Sequence, residues 1–280
     1  MSARIPALSG APKTGQPVTD PAPHHPEIHP GQSVELLKQL HILTRDGKLN
    51  QDSRRKLKQV YHLYQFIAPL LEEALAGRPD IQLVDHGAGK SYLGFILYDL
   101  FFRSQAPGGR IHGIETRDEL VASSRRLADR LGFGGMRFQN LSVAESITSD
   151  RLPERIDIVT ALHACNTATD DAIRFALHKQ ARSIVLVPCC QAEVAAVLRR
   201  NKAQSLRGSL AELWRHPIHT REFGSHVTNV LRCLQLESHG YQVNVTELVG
   251  WEHSMKNELI IARYKDLPRR LSATGSAPSL

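Results

Sequence analysis

From Ile81 onward, short apolar runs alternate with stretches of helical period, and this rhythm leaves few architectures open. The runs are IQLVD (81–85), RIHGIE (110–115), MRFQN (136–140), RIDIVTAL (155–162) and SIVLVP (183–188). YLGFILYDLFF, RDELVASSRRLADRL and TDDAIRFALHKQA fall between most of them and carry helical spacing. Strands fed by crossover helices pair in parallel. The chain then changes style. QVNVTELV (242–249) and ELIIARYK (258–265) are two strands with a short connection, which favours an antiparallel pair. The expectation is an α/β fold: a mostly parallel seven-stranded sheet closed by an antiparallel terminal hairpin.

Two helical stretches precede the sheet. Ser33 is placed to cap VELLKQLHIL, with Glu35 in its first turn. After a break at Asp46-Gly47, the residues Leu57, Val60, Tyr61, Tyr64, Ile67 and Leu71 recur at helical spacing, behind a basic start RRKLK. Residues 1–32 hold seven of the fifteen prolines and few apolar clusters, so they read as a disordered tail. The expected organisation is tail (1–32), helical cap (33–78), main α/β domain (79–266) with a basic insert (195–235), and a second disordered tail (267–280). At 280 residues and 41% hydrophobic composition, the chain needs no disulfide or metal staple to build a core. Its four cysteines include an adjacent pair and read as reduced thiols. No apolar stretch approaches the roughly 20 residues that cross a bilayer, and MSARIPALSG lacks a signal-peptide core. A cytoplasmic protein without membrane partners is expected.

The segment most informative about chemistry is LVDHGAGKS (83–91), between the first strand and a helix. Glycines there let a ligand approach the backbone. A dinucleotide fingerprint from Gly87 needs a small residue at Tyr92 and fails. A P-loop ending in Gly89-Lys90-Ser91 needs glycine at Val84 and fails too. An S-adenosylmethionine loop of the form D-x-G-x-G fits, with Asp85 ending the strand and Gly87 and Gly89 giving the methionine end room. Glu115 ends the second strand, where a carboxylate can accept both hydroxyls of a ribose. Asn140 and Ser142 follow the third strand and are placed to flank an adenine.

Polar groups also gather after the fourth and fifth strands. His163, Cys165 and Asp170 lie in LHACNTATDD, and Cys189, Cys190 and Gln191 in VPCCQ. The carboxyl ends of adjacent strands converge on the crevice of such a sheet, so these residues are expected on the acceptor side. Thr169 or Asp170 could instead cap the following helix, and the cysteine pair could be small buried fillers.

Together, DHGAGKSYL, GIETRDELV, ALHACNTATDDAI, VPCCQAE and HSMKNELIIAR resemble a methyltransferase-domain family. That family has a D-x-G-x-G-K-G-Y-L loop, an L-H-x-C-x-x-A-T-D segment and a C-C pair. Eukaryotic tRNA 2′-O-methyltransferases are similar in the same places. The resemblance runs from about Arg54 to Tyr264. It implies a Rossmann-like class I methyltransferase fold, S-adenosylmethionine as donor, and an RNA acceptor. It assigns Asp85, Gly87, Gly89 and Glu115 to the cofactor, and His163, Cys165, Asp170, Cys189 and Cys190 to the active site. Lys58-Gln59 match a K-Q pair upstream of the loop, and with Gln191 are expected to meet the substrate. Departures are Ser91 for glycine, Asn166 for Asp or Gly, and Gln191 for His.

Methyl transfer needs an acceptor held in line with the sulfonium carbon, and for a hydroxyl acceptor a base: His163 or Asp170. A covalent route through Cys165 or Cys189/Cys190 is a second option. A zinc site built from His163, Cys165, Cys189 and Cys190 lacks a recognised ligand spacing, so no metal is expected. Net charge is +7, and residues 195–235 carry seven bases against two acids. That suits a polyanion such as RNA. The rival readings are methylation of a protein or small molecule, and a non-catalytic RNA-binding protein on the same scaffold. Sequence leaves the oligomeric state open.

Overall fold

The computed structural model describes residues 27–162, 167–188, 193–200, 215–248 and 258–266. Two helices come first, each started by a side-chain cap. Ser33 Oγ accepts the Leu36 amide at the start of α1 (Val34–Gln39), and Asn50 Oδ1 accepts the Ser53 amide at the start of α2 (Gln51–Gly77). The inner face of α2 buries Leu57, Leu63, Ile67, Leu70, Leu71 and Ala74. Arg103 ties this region down, forming an ion pair with Asp99 and donating to the Gly31 carbonyl, while Asp99 accepts the Ser33 amide at 2.8 Å.

The sheet elements are β1 (Gln82–His86), β2 (Arg110–Glu115), β3 (Met136–Asn140), β4 (Ile158–Ala161), β5 (Ser183–Leu186), β6 (Tyr241–Glu247) and β7 (Glu258–Tyr264). Their order is β3-β2-β1-β4-β5-β7-β6. The first five are parallel, and β7 runs antiparallel between β5 and β6. This is the architecture expected from the sequence. The four inner parallel strands, β1, β2, β4 and β5, are buried on both faces for most of their length, whereas the edge strand β3 exposes Arg137.

The helices between them are α3 (Tyr92–Leu97), a π-helical turn (Tyr98–Phe102), α4 (Arg103–Gln105), α5 (Asp118–Leu131), α6 (Val143–Thr148), α7 (Thr167–His178), α8 (Glu193–Arg200) and α9 (Pro217–Ser238). Gly113 in β2 is required by packing. A Cβ there would sit 2.8 Å from the Phe138 ring of β3 and 3.4 Å from Ala88 Cβ. The Phe138 ring thus packs over β2 more closely than a side chain at position 113 would allow.

The chain runs outward from β1 to β3 and then returns to β4, beside β1. That reversal opens a crevice at the carboxyl ends of β1 and β4, with Asp85 opposite Thr160 and His86 opposite Ala161.

One helix inverts the usual pattern. α9 buries Thr220, Ser225, Thr228, Asn229, Arg232 and Gln235, and exposes Ile218, Val230, Leu231 and Leu234. Part of the inward polar face is joined in a network, while Gln235 Oε1 has no partner among the described residues. Arg232 is fully buried and donates to both oxygens of Asp170 on α7, and Asn229 Nδ2 donates to Glu258 of β7 at 2.6 Å. The sequence reading counted Arg232 with a basic surface at 195–235; the fold corrects this, since the guanidinium is internal. Among the described residues no helix is long and apolar enough to cross a membrane.

Candidate active site

The crevice at the carboxyl ends of β1, β2 and β4 is a cavity of about 840 Å³. Its floor is the loop after β1. Gly87 (φ 64°) and Gly89 (φ 58°) are both left-handed, a conformation that costs an L side chain energy. The turn therefore exposes backbone to a ligand, and glycine is the residue that allows it. Ser91 is also left-handed (φ 53°), at the position where the family loop carries its third glycine.

Glu115 closes one end. Its Oε2 accepts the Gly89 amide at 2.9 Å, and its Oε1 accepts the Arg117 amide at 3.1 Å. The Arg117 guanidinium adds a fork, with Nε 3.0 Å from Oε1 and Nη2 3.2 Å from Oε2. Burial by itself would raise the Glu115 carboxyl. The Arg117 guanidinium and the two amides outweigh it and hold the group below the usual carboxylate range.

Asp85 also lines the cavity and is buried. Burial pushes its carboxyl up to about 7, opposed by a hydrogen bond from Thr160 Oγ1 to Oδ1 at 2.6 Å. The next residue points the other way. His86 is fully buried, 4.7 Å from the Phe175 ring of α7 in an edge-on arrangement, and burial pushes it down to about 3. It is a neutral core imidazole.

Leu141, Ser142, Val143 and Ala144 form a wall after β3, and Ile42, Val60, Leu63, Tyr92, Leu93 and Leu162 add further apolar surface. The Ser142 hydroxyl is engaged in a capping box with Glu145 at the start of α6, so Ser142 faces the cavity as part of a fixed turn. Asn140 is not on the wall; its Nδ2 donates to the Thr116 carbonyl at 2.8 Å and braces the β2–β3 strand ends.

The cavity mouth takes Lys56 and Gln59 from α2, and Lys90 from the glycine loop. Lys58 instead lines a separate groove with Arg54, Arg55 and Tyr61. The α2 residues on the cavity, Lys56, Gln59, Val60 and Leu63, recur at helical spacing and form one stripe, and Lys58 falls outside it. Helical spacing links Gln59 to Lys56 rather than to Lys58. Asp170 is held by Arg232 at 2.6 and 2.9 Å, while its neighbour Asp171 lines the cavity. His163, Cys165, Cys189, Cys190 and Gln191, with Asn166, lie outside the described residues. Cys233 is partly buried on α9, and burial, with help from Glu258 and Glu237, pushes its thiol up to about 11. Among the described residues no three His, Cys, Asp or Glu side chains cluster as metal ligands.

Sequence reasoning missed Lys56, Arg117 and Thr160. The first was findable from helical spacing and the second from its position two residues after Glu115. Thr160 had no signal beyond its place on an apolar strand.

Residues 55–197 match a family described as a methyltransferase domain. The chain belongs to that family. The donor set around this methyltransferase's cavity fits the S-adenosylmethionine that the resemblance implies: two open glycine turns, a carboxylate at the end of β2 and an apolar wall after β3. Among curated proteins it is similar to the glutathione S-transferase C-terminal domain-containing protein of Mus musculus. The two are 24% identical over 238 residues, covering 79% of this chain and 35% of that protein. The Homo sapiens protein of the same description is 26% identical over 149 residues, covering 53% and 21%. The methyltransferase thus spans about a third or less of the length of these relatives. Among solved structures, magnesium protoporphyrin IX methyltransferase from Synechocystis with bound SAM has a TM-score of 0.46 at 14% identity, over 82% of this chain and 90% of that one. An rRNA methylase from Streptococcus thermophilus has a TM-score of 0.43 at 10% identity, over 70% and 92%.

Proposed function

We propose that the chain methylates RNA, using S-adenosylmethionine as donor. The observation that carries this reading is the shape of one cavity. It holds a carboxylate suited to a ribose at one end and exposed lysines, Lys56 and Lys90, at its mouth. When bound, S-adenosylmethionine supplies an electrophilic methyl group on a sulfonium. Glu115 orients the nucleoside through its ribose hydroxyls, and Gly87 and Gly89 bring backbone to the amino-acid end. The wall at Leu141 to Ala144 takes the adenine by apolar contact. Glu115, Gly87 and Gly89 would together fix the donor's orientation, and much of the rate gain in methyl transfer comes from alignment.

On the acceptor side, Lys56 and Lys90 supply positive charge without a described acidic partner, which suits a phosphate backbone. The net charge of +7 points the same way. We assign His163 as the base for a hydroxyl acceptor from its place in the chain directly after β4. Cys165, Cys189, Cys190 and Gln191 belong to the same proposed acceptor side on the same ground. Asp170 is better suited to positioning α7 than to accepting a proton, because its carboxylate is held by Arg232.

The test is incubation with methyl-labelled S-adenosylmethionine and separate total RNA, protein and metabolite fractions. Label that is removed by ribonuclease supports the reading. Label confined to protein or small molecules refutes the RNA acceptor, and absence of S-adenosylhomocysteine binding by calorimetry refutes the donor.

A further inference from the structure

The carboxylate assigned to the ribose is already saturated in the structure. Glu115 receives the amides of Gly89 and Arg117, the Thr116 hydroxyl at 3.3 Å, and the two-pronged guanidinium of Arg117. A carboxylate offers about four lone-pair sites. Two ribose hydroxyls cannot be added without removing a donor. The backbone amides are fixed by the glycine turn and by the start of α5. The guanidinium is different: the Arg117 side chain is 60% exposed, whereas that of Glu115 is 9% exposed. Arg117 also lines the same cavity, with its Nη2 3.9 Å from where a Cβ on Gly89 would stand.

Resting on the proposed donor, we infer that Arg117 is a specificity-determining residue for the nucleoside: its guanidinium occupies the diol-accepting face of Glu115 and must be displaced by the ribose. A fork that spans both carboxylate oxygens is matched only by a ligand bringing two hydroxyl donors. A single hydroxyl leaves one carboxylate oxygen without its lost partner, and an unpaired group in a confined site is penalised. Arg117 thereby favours a ribonucleoside over its 2′-deoxy counterpart. Once displaced, it leaves a third cation beside Lys56 and Lys90 at the cavity mouth.

The experiment is calorimetric titration of S-adenosylhomocysteine and its 2′-deoxy analogue into the full chain, Arg117→Ala, Arg117→Lys and Glu115→Gln. Thermal unfolding of each variant checks that it is folded. Arg117→Ala is expected to bind S-adenosylhomocysteine two- to tenfold more tightly and to discriminate less between the two ligands. Arg117→Lys, which keeps charge without the fork, should fall between. Glu115→Gln should lose affinity. If the parent binds and Arg117→Ala binds equally or more weakly, or keeps the full discrimination, the role of Arg117 is overturned while the donor assignment stands. If the parent and Arg117→Ala both fail to bind, the donor assignment falls and this inference with it.

Discussion

The guanidinium of Arg232 on α9 lies 2.6 Å from one oxygen of Asp170 on α7 and 2.9 Å from the other, with no exposure to solvent on the arginine side. This fork joins a helix near the end of the chain to the helix that follows β4. Removing one partner of such a pair leaves an uncompensated internal charge, at a cost of about 3–5 kcal/mol. Arg232→Met should therefore destabilise by about that amount in urea unfolding. Arg232→Met combined with Asp170→Leu should recover part of the loss, because the stranded carboxylate is gone. A double variant no more stable than the single would show that the arginine acts through packing alone.

Asp85 ties stability to pH. Its folded carboxyl is raised to about 7 by burial, against an ordinary carboxylate value near 4 when unfolded. The protonated form is the one the fold prefers. Its contribution is fully present below the unfolded value and is lost as pH rises through about 7. Asp85→Asn should raise the urea midpoint at pH 8 relative to the parent and change it little at pH 4. An equal shift at both pH values would exclude titration of Asp85 as the cause.

His86 acts at the other end of the scale. Burial depresses it to about 3, so the unfolded chain takes up a proton near pH 6.5 that the folded chain refuses. Stability from this group is present above pH 6.5 and is lost as pH falls toward 3. Neither ring nitrogen has a hydrogen-bond partner among the described residues. His86→Leu should flatten the acid limb of the stability curve. It should also add about 1–3 kcal/mol at pH 7 by removing two unsatisfied atoms. Unfolding midpoints between pH 4 and 8 measure both effects.

Lys56 and Lys58 separate two geometries on one helix. If RNA enters at the cavity mouth, Lys56→Glu and Lys90→Glu should weaken RNA binding more than Lys58→Glu does. Each lost phosphate contact should flatten the plot of log affinity against log salt by about 0.7 for a single strand. Filter binding over a range of salt concentrations decides this; identical slopes for all three variants would remove the mouth from the RNA path.

The sheet was readable because its inner parallel strands are covered on both faces, so Leu83-Val84 and Ile158-Val159 announce themselves as apolar runs. The glycine turn and Glu115 were readable because left-handed backbone and a strand-end carboxylate each leave a residue-type signature. α9 was not readable in the same way. Its apolar residues face outward and its arginine inward, so period alone assigns the faces backwards; the partner that makes Arg232 tolerable, Asp170, lies 62 residues away. Lys58 was favoured over Lys56 because a dipeptide match carries no helical phase. The Glu115–Arg117 fork depends on side-chain reach across a turn, which residue type alone does not specify.

The Gly89 amide is anchored to Glu115. That bond is made within the chain itself, so the cost of ordering the bend falls on folding instead of on association. Hydrogen exchange at 87–91 should be slow in the free chain and barely slower with nucleoside added, leaving side-chain rearrangement, rather than backbone closure, as the event that accompanies capture.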